Sequence, residues 1–183
     1  SPAEGHPLII RGAWFFLIAV GLLILLVVLE VADRLSLKND LEVARGIQKA
    51  MLPPGDATFR GADVHALSTP ANTVGGDFYD IRPLGDGRLL VAVGDVAGKG
   101  SPAALLMALF LAMERVLLDD FTDLVSLATR LNAQVVRQAP GTRYITFFVA
   151  AFDPDTGTLE YVNAGHPPAL VRREGGALDR LHE

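Results

Sequence analysis

Three patterns of apolar and polar residues follow one another along the chain. The first is an unbroken apolar run from Gly12 to Leu29, which as a helix nearly spans a hydrocarbon core of about 30 Å. Arg11 and Glu30 mark its boundaries, and aromatic residues lie near one end, as is typical of a membrane interface. We therefore predict a transmembrane helix over residues 12–31, after a short N-terminal segment of residues 1–11. A signal peptide is the weaker alternative, because the run is long and no small-x-small cleavage site follows.

The basic residues near this run predict its orientation. Only Arg11 precedes it, whereas four basic residues follow within a short distance: Arg34, Lys38, Arg45 and Lys49. The positive-inside rule then predicts a single-pass membrane protein in which everything after Leu29 is cytoplasmic. Because the first residue is Ser1 rather than methionine, we expect the chain to be part of a longer protein.

The second pattern covers residues 32–54 and predicts a helical linker. Apolar residues recur at intervals of four and three, which forms one seam on a helix, and a polar Gln48 interrupts that seam. The seam consists of Leu37, Leu41, Ala44, Gln48 and Met51. Pro53 and Pro54 then end the helix. Two interpretations stay open: the helix packs on its own domain, or it forms a parallel coiled coil that carries a signal from the membrane and makes the protein a homodimer.

The third pattern, from residue 55 to 183, predicts a domain of hairpins and two helices. The strand candidates in its first half are Asp63 to Thr69, Gly76 to Ile81 and Arg88 to Val96, and the last two form a hairpin through Gly85, Asp86 and Gly87. A deeply buried helix follows, with Ser101 as its N-cap and Pro102 at its first position. A second helix covers Thr122 to Gln138, with Thr122 as its cap.

The remaining residues predict another hairpin, RYITFFVAAFD and GTLEYVNAG around DPDTG, and then a strand, a turn and a strand start in PALVRREGGALDRLHE. Strands in hairpins that are interrupted by two helices indicate an α+β fold with mostly antiparallel sheet.

Composition excludes some functions. The 183 residues carry a formal net charge of −5, so no basic surface is available for nucleic acid, and we predict no nucleic-acid partner. The absence of cysteine excludes thiolate metal sites, so a metal centre would use carboxylates, carbonyls or histidine.

The glycine-rich turn from Gly94 to Gly100 has two interpretations. As a phosphate-binding loop it fails, because its glycines are wrongly spaced, Lys99 is followed by glycine, and a hairpin precedes it. The alternative is a metal site. If the hairpin pairs symmetrically about Asp86, then Asp77 and Asp95 face each other about 5 Å apart and can share a divalent cation. The simpler possibility is that both are turn or capping aspartates.

Four stretches in order resemble the metal-dependent protein serine/threonine phosphatases (PPM) in their bacterial SpoIIE-like branch. They are ARGIQKAMLPP, PANTVGGDFYD, VAVGDVAGKGSPAALLMA and YVNAGHPPALV. The resemblance covers residue 44 to the C-terminus and implies an α-β-β-α sandwich of antiparallel sheets flanked by helices. It also implies a binuclear Mn²⁺ or Mg²⁺ centre that delivers water to a phosphoserine or phosphothreonine without a phosphoenzyme.

The resemblance also implies roles for individual residues. Asp77 and Asp95 would be metal ligands and the catalytic residues, with Asp95 bridging and the Val96 carbonyl as a further ligand. Asp80 would make supporting hydrogen bonds near the site, and Lys99 is more consistent with a solvated residue than with a phosphate ligand. The NAGHPP stretch is a marker of the family in this resemblance, and we interpret Asn163 and His166 as structural hydrogen-bonding residues rather than metal ligands.

The family completes its metal centre with later acidic residues that these 183 residues do not contain in the expected contexts; Asp153, Asp155 and Asp179 do not fit them. We therefore expect an incomplete phosphatase domain that is itself inactive.

The predicted function is hydrolysis of phosphoserine or phosphothreonine on a cytoplasmic signalling protein of the anti-sigma-factor-antagonist type, regulated through the membrane-proximal helix. A non-catalytic scaffold module that retains the fold is the alternative, and a nucleotide-binding protein that uses the Gly94 to Gly100 turn is the third possibility.

Overall fold

The structure, a computed structural model, describes residues 6–139, 141 and 143–181, with side chains from Arg11 onward. Its elements are, in chain order, α1 (His6–Met51), β1 (Asp56–Phe59), β2 (Ala62–His65), β3 (Phe78–Pro83), β4 (Leu89–Val96), α2 (Ser101–Asp119), α3 (Leu124–Gln138), β5 (Ile145–Asp153), β6 (Thr158–Ala164), β7 (Leu170–Arg172) and β8 (Leu178–Arg180). They divide into two compact units, Ser1–Val43 and Ala44–Glu183, of which the first five residues and the last two lie outside the description.

The first unit is the helix α1 as far as Val43. Almost every side chain from Arg11 to Val43 is exposed, including the whole apolar run. Two helices in the described part of the chain, α1 and α2, are long and apolar enough to cross a membrane by length and composition, and the apolar window of α2 is one-third buried in the domain. An apolar helix whose described side chains are exposed is consistent with a membrane span, and its assignment as such belongs to the proposed function.

The centre of the second unit is a four-stranded antiparallel sheet in the order β3-β4-β5-β6. The strands form two hairpins, as predicted, because DPDTG and the residues around Asp86 make tight turns between alternating apolar runs. In the first hairpin Phe78 pairs with Gly94 and Pro83 with Leu89, so the pairing is symmetric about Asp86.

The helices α2 and α3 cover one face of this sheet and enclose the hydrophobic core. Three phenylalanines, Phe78, Phe110 and Phe147, meet at its centre with ring centroids 4.9 to 6.2 Å apart. The apolar face of α3 packs through Leu124, Leu127 and Leu131. Burial of these residues therefore fixes which face of the sheet remains open.

The helix α2 is less buried than its apolar sequence predicts. Six of its residues are buried, but Leu105 and Val116 remain 72% and 68% exposed. A helix that packs on one face of a sheet can bury only part of its circumference, so the prediction of a deeply buried helix was wrong for its outer side.

Both predicted N-caps were wrong by about one position. Gly100, with φ 70°, caps α2 and no side chain accepts a hydrogen bond there, so Ser101 lies inside the helix. Asp123 caps α3, because its carboxylate accepts the Ser126 N–H at 2.8 Å, and Thr122 lies outside. The ends of helices depend on local backbone geometry that composition does not specify.

The remaining strands form two small hairpins. β7 and β8 confirm the predicted strand, turn and strand at the end of the chain. β1 was not predicted, and β2 is shorter than the stretch from Asp63 to Thr69. The missed turn consists of Arg60 and Gly61, which both have positive φ. The α+β class and the antiparallel sheet are confirmed.

Candidate metal centre

The register of the central sheet places Asp77 and Asp95 next to each other. Phe78 pairs with Gly94, so the next residues outward, Asp77 and Asp95, lie opposite one another at the end of the hairpin. Asp95 also pairs with Thr146 of β5 on its other side. Directly paired residues project from the same face of a sheet, so these three side chains form one row on the face that α2 and α3 leave open.

The electrostatics of the row agree with close contact between the two carboxyl groups. Partial burial, together with the negative charge of Asp77 and a hydrogen bond with its side chain, raises the pKa of Asp95. Among the described residues no lysine or arginine forms an ion pair with Asp77 or Asp95. Two neighbouring carboxylates without a basic partner repel each other, and a cation between them relieves that repulsion.

A carbonyl oxygen lies beside the same row. A Cβ added to Gly76 would come 2.7 Å from the Val96 carbonyl oxygen, so glycine at this position keeps that oxygen accessible. Two carboxylates and a carbonyl are hard oxygen donors of the kind that Mg²⁺ and Mn²⁺ prefer, and the donor set fits such an ion. Within the described ranges no three His, Cys, Asp or Glu side chains are grouped closely enough to hold a metal, so the described donors are a partial set.

The NAGH turn lies at the other end of this row. Asn163 donates from Nδ2 to the His166 carbonyl at 2.9 Å, and the His166 N–H donates to Asn163 Oδ1 at 2.8 Å. His166 Nδ1 lies 3.0 Å from Thr146 Oγ1. Burial lowers the pKa of His166, and the negative charges of Asp95 and Asp77 oppose that effect. These contacts agree with the structural role predicted for Asn163 and His166.

The side chain of Asp80 does not belong to the row, and its predicted supporting role was wrong. Its side chain alternates to the helix-covered face, where it is fully buried and accepts hydrogen bonds from Arg82 Nε at 2.9 Å and Arg115 Nε at 3.3 Å. Side chains three positions apart along an extended chain point to opposite faces of the sheet. Asp77 and Asp80 belong to the same sequence motif, and the motif alone does not show that they lie on different faces. Asp80 therefore organises the core and does not contact a ligand in the open row.

The sequence interpretation missed the buried carboxyl group beside Asp80. Glu114 of α2 is fully buried, and neither of its oxygens has a hydrogen-bond partner within the described part of the chain. Burial and the charge of Asp80 raise the pKa of Glu114 from 4.5 to about 8, against the opposing effect of Arg115 and Arg82. The sequence feature that could have indicated this buried group is the charged pair Glu114 and Arg115, which interrupts an otherwise apolar helix.

The last turns of α1 hold the segment that precedes Asp77. Gln48 is 8% exposed; its Nε2 donates to the Gly75 carbonyl at 2.6 Å and its Oε1 accepts the Gly75 N–H at 3.2 Å. Arg115 also donates to the Met51 carbonyl. Gln48, which only weakened the predicted seam, thus joins the linker to the segment that precedes Asp77.

The other predicted residues lie elsewhere. Lys99 is exposed. Asp153 accepts hydrogen bonds within the turn before β6, seven residues along β5 from Thr146, or about 23 Å away. Asp155 pairs with Arg60, and Asp179 with Arg173. None of these three aspartates contributes to the row.

The surroundings of the Gly94 to Gly100 turn do not match a nucleotide-binding unit. β4 is antiparallel to both of its neighbours, and Gly94 is paired within the sheet instead of lying in a loop. A phosphate-binding loop follows a strand of a parallel βαβ unit. The geometry therefore favours the metal interpretation of this turn.

Comparison with known proteins agrees with the four motifs. Residues 85–183, somewhat more than half of the chain, match the family model described as Stage II sporulation protein E (SpoIIE). Protein IcfG of Synechocystis sp. is 31% identical in an alignment of 183 positions that covers 85% of this chain and 29% of that protein. Phosphoserine phosphatase RsbU of Bacillus subtilis is 29% identical over 135 residues, which cover 74% of this chain and 40% of that protein.

The fold also has a close counterpart among solved structures. The SiaA-PP2C domain of Pseudomonas aeruginosa superimposes with a TM-score of 0.67 at 23% identity, over 82% of this chain and 62% of that one. The architecture is therefore that of a PP2C-type domain. The chain belongs to the SpoIIE family, as its motifs predicted, and it spans between 29% and 40% of the length of the curated relatives described above.

Proposed function

We propose that the protein is a metal-dependent phosphatase that hydrolyses phosphoserine or phosphothreonine on a protein substrate. The observation that carries this proposal is the proximity of Asp77, immediately before β3, to Asp95 of β4, without a basic partner among the described residues. Such a pair is unfavourable unless it binds a cation, and it lies on an accessible face of the sheet. The name of the Bacillus subtilis relative supports phosphoserine as the substrate group.

Asp77, Asp95 and the Val96 carbonyl would hold Mn²⁺ or Mg²⁺ in a binuclear centre, together with donors outside this set. Such ions neutralise the phosphoryl oxygens and lower the pKa of coordinated water. The chain's own contribution is to fix one carboxylate on β4 and the other immediately before the neighbouring strand β3. Gly76 keeps the approach to the Val96 carbonyl free of side chains.

The substrate would approach over the open face of the sheet. A cavity of about 540 Å³ lies there, lined by residues 64–69 and by Asp77, Tyr79 and His166 among others. The cavity is open to solvent, which suits a side chain presented on a protein surface better than an enclosed small molecule. We propose a phosphorylated signalling protein of the anti-sigma-factor-antagonist type as the substrate.

We further propose that α1 anchors the protein in a membrane, with the domain in the cytoplasm, and that its linker region regulates the site. The support is the contact of Gln48 with Gly75, two residues before Asp77. A change in the position of the last turns of α1 would alter this contact and thereby the segment that carries Asp77. Pairing of two linkers in a homodimer is one way to produce such a change.

The test compares Mn²⁺-dependent hydrolysis of a phosphoserine protein by the full-length protein and by the variant Asp95→Asn. We expect a loss of about a thousandfold in kcat/KM, because the cation contributes several kcal/mol of transition-state stabilisation. Asp119→Asn, an exposed change at the end of α2, is the matched control and should retain activity. Full activity of Asp95→Asn would show that this carboxylate has no catalytic role.

A scaffold module without catalysis gives a different result. The wild-type protein would then bind its partner without releasing phosphate at any Mn²⁺ or Mg²⁺ concentration, and Asp95→Asn would leave partner binding unchanged.

A further inference from the structure

The turn that follows β6 presents an imidazole in a fixed position. The side chain of Asn163 bonds both the N–H and the carbonyl of His166, at 2.8 and 2.9 Å. Between them Gly165 has a φ of 74°, a conformation that favours glycine. A turn closed by two hydrogen bonds and a left-handed glycine has little freedom, so the ring of His166 is held against its neighbours.

The neighbour that it meets is Thr146, at the site row. His166 Nδ1 lies 3.0 Å from Thr146 Oγ1, and the same oxygen lies 3.4 Å from the main-chain carbonyl of Asp95. A hydroxyl group can accept a hydrogen bond from an imidazole N–H while it donates to a carbonyl. The three groups can therefore form one continuous chain of hydrogen bonds from the NAGH turn to β4.

The position of this chain in the sheet gives it a consequence for the site. The carbonyl of Asp95 belongs to the peptide group that joins Asp95 to Val96, so a contact that holds this group restricts the backbone of both residues, from which the Asp95 carboxylate and the Val96 carbonyl extend. A hydrogen bond that only stabilised the fold could lie at any point along β5 and β6. The contact of Thr146 is made with the peptide group that links the two residues bearing two of the three proposed donors.

We infer that Thr146 and His166 are positioning residues for the cation site, which hold the Asp95 to Val96 peptide without being ligands themselves. The inference rests on the proposed function, because it takes Asp77, Asp95 and Val96 as the cation donors. Groups that orient metal ligands commonly change metal affinity by about 10- to 100-fold when they are removed.

The experiment measures Mn²⁺ binding by the full-length protein in lipid nanodiscs, from the electron paramagnetic resonance signal of free Mn²⁺. We expect Thr146→Val to weaken binding by about tenfold or more. Thr146→Ser, which keeps the hydroxyl group, should restore most of the affinity. Thr129→Val, at an exposed position of α3, is the matched control and should bind as the wild type does.

Variants of the histidine supply an independent comparison. His166→Leu should weaken Mn²⁺ binding to a similar extent, whereas His166→Asn can place an amide near the Nδ1 position and should recover part of it. Amide hydrogen exchange of Val96 in the metal-free protein is the second readout. It should accelerate in Thr146→Val and not in Thr146→Ser, because the hydrogen-bonded peptide is released only in the first.

Failure of this inference is distinguishable from failure of the proposed function. If the wild type binds Mn²⁺ and hydrolyses phosphoserine, but Thr146→Val and His166→Leu bind as tightly, the positioning role is wrong and the phosphatase proposal stands. If Thr146→Ser binds as weakly as Thr146→Val, the hydroxyl group is not responsible and the inference is overturned. If the wild type neither binds Mn²⁺ nor hydrolyses phosphoserine, both proposals are wrong.

Discussion

Two pairs of acidic side chains lie on opposite faces of the same sheet and have opposite surroundings. Asp77 and Asp95 lie at the open end of the β3 and β4 hairpin, exposed to solvent and without a basic partner among the described residues. Asp80 and Glu114 lie under α2, fully buried, with Arg82 and Arg115 beside them. Only the first pair is accessible to a cation from solution.

The difference shows how position in a β-strand decides the role of an aspartate. Asp77 and Asp80 are separated by two residues in one motif, and the alternation of side chains sends them to different faces. On the buried face an ionised carboxylate requires a guanidinium, and a second carboxyl group is held in its neutral form. On the open face water solvates the charges, which leaves them free to bind a metal ion.

The largest expected effect concerns Glu114 and the dependence of stability on pH. The pKa of Glu114 is 4.5 in the unfolded chain and about 8 in the folded protein, so the folded state binds the proton more tightly. The stabilisation is complete below pH 4.5 and is lost as the pH rises through 8, by about 5 kcal/mol at 1.36 kcal/mol for each unit. Urea unfolding in mild detergent, followed by tyrosine fluorescence, measures it.

The control for that experiment is Glu114→Gln, which cannot ionise. Its free energy of unfolding should vary much less between pH 5 and pH 8 than that of the wild type. An equally steep decrease in the variant would assign the pH dependence to another group.

The next effect separates the two aspartates of the shared motif. Asp80→Asn leaves two arginines next to a buried site without their carboxylate, and we expect it to lower the free energy of unfolding by about 3 kcal/mol. Asp77→Asn removes a repulsion at an exposed position and should leave stability unchanged or slightly higher. Urea unfolding at pH 7 compares them, and equal losses would contradict the assignment of the two faces.

The smallest effect concerns the hydrogen bonds that hold the segment before Asp77. Gln48→Ala leaves the N–H and carbonyl of Gly75 without their partner, and we expect a loss of about 2 kcal/mol in the free energy of unfolding. Faster amide exchange at Gly75 should accompany it. Lys49→Ala, an exposed change in the same helical turn, is the control, and an identical response in both variants would exclude a specific role for Gln48.

Most of the sheet could be predicted from sequence because its signals are local. Glycine and aspartate at the turns define the hairpins, and the symmetry about Asp86 predicts the pairing of Asp77 with Asp95 before any coordinates are considered. The hairpin of β1 and β2 was missed because its strands are only four residues long and Arg60, one of its two turn residues, is uncommon with positive φ.

The environment of each polar residue was harder to predict. The sequence pattern indicated Gln48 as a polar interruption of the apolar seam and Asp80 as a residue that supports the site. Neither environment could be predicted, because a sequence motif contains no information on which face of the sheet a helix will cover. Glu114 gave only the weak signal of a charge in an apolar helix.

The sequence alone determined the family, the antiparallel hairpins and the opposition of Asp77 and Asp95, since each depends on residues that are close along the chain or on motifs read in order. Tertiary structure decided that α2 covers one face of the sheet, and thereby that Asp80 and Glu114 are buried while Thr146 and His166 meet the open row. The physical reason is that burial is a property of packing between distant segments, and the free energy of a charged group depends on whether water or another segment surrounds it.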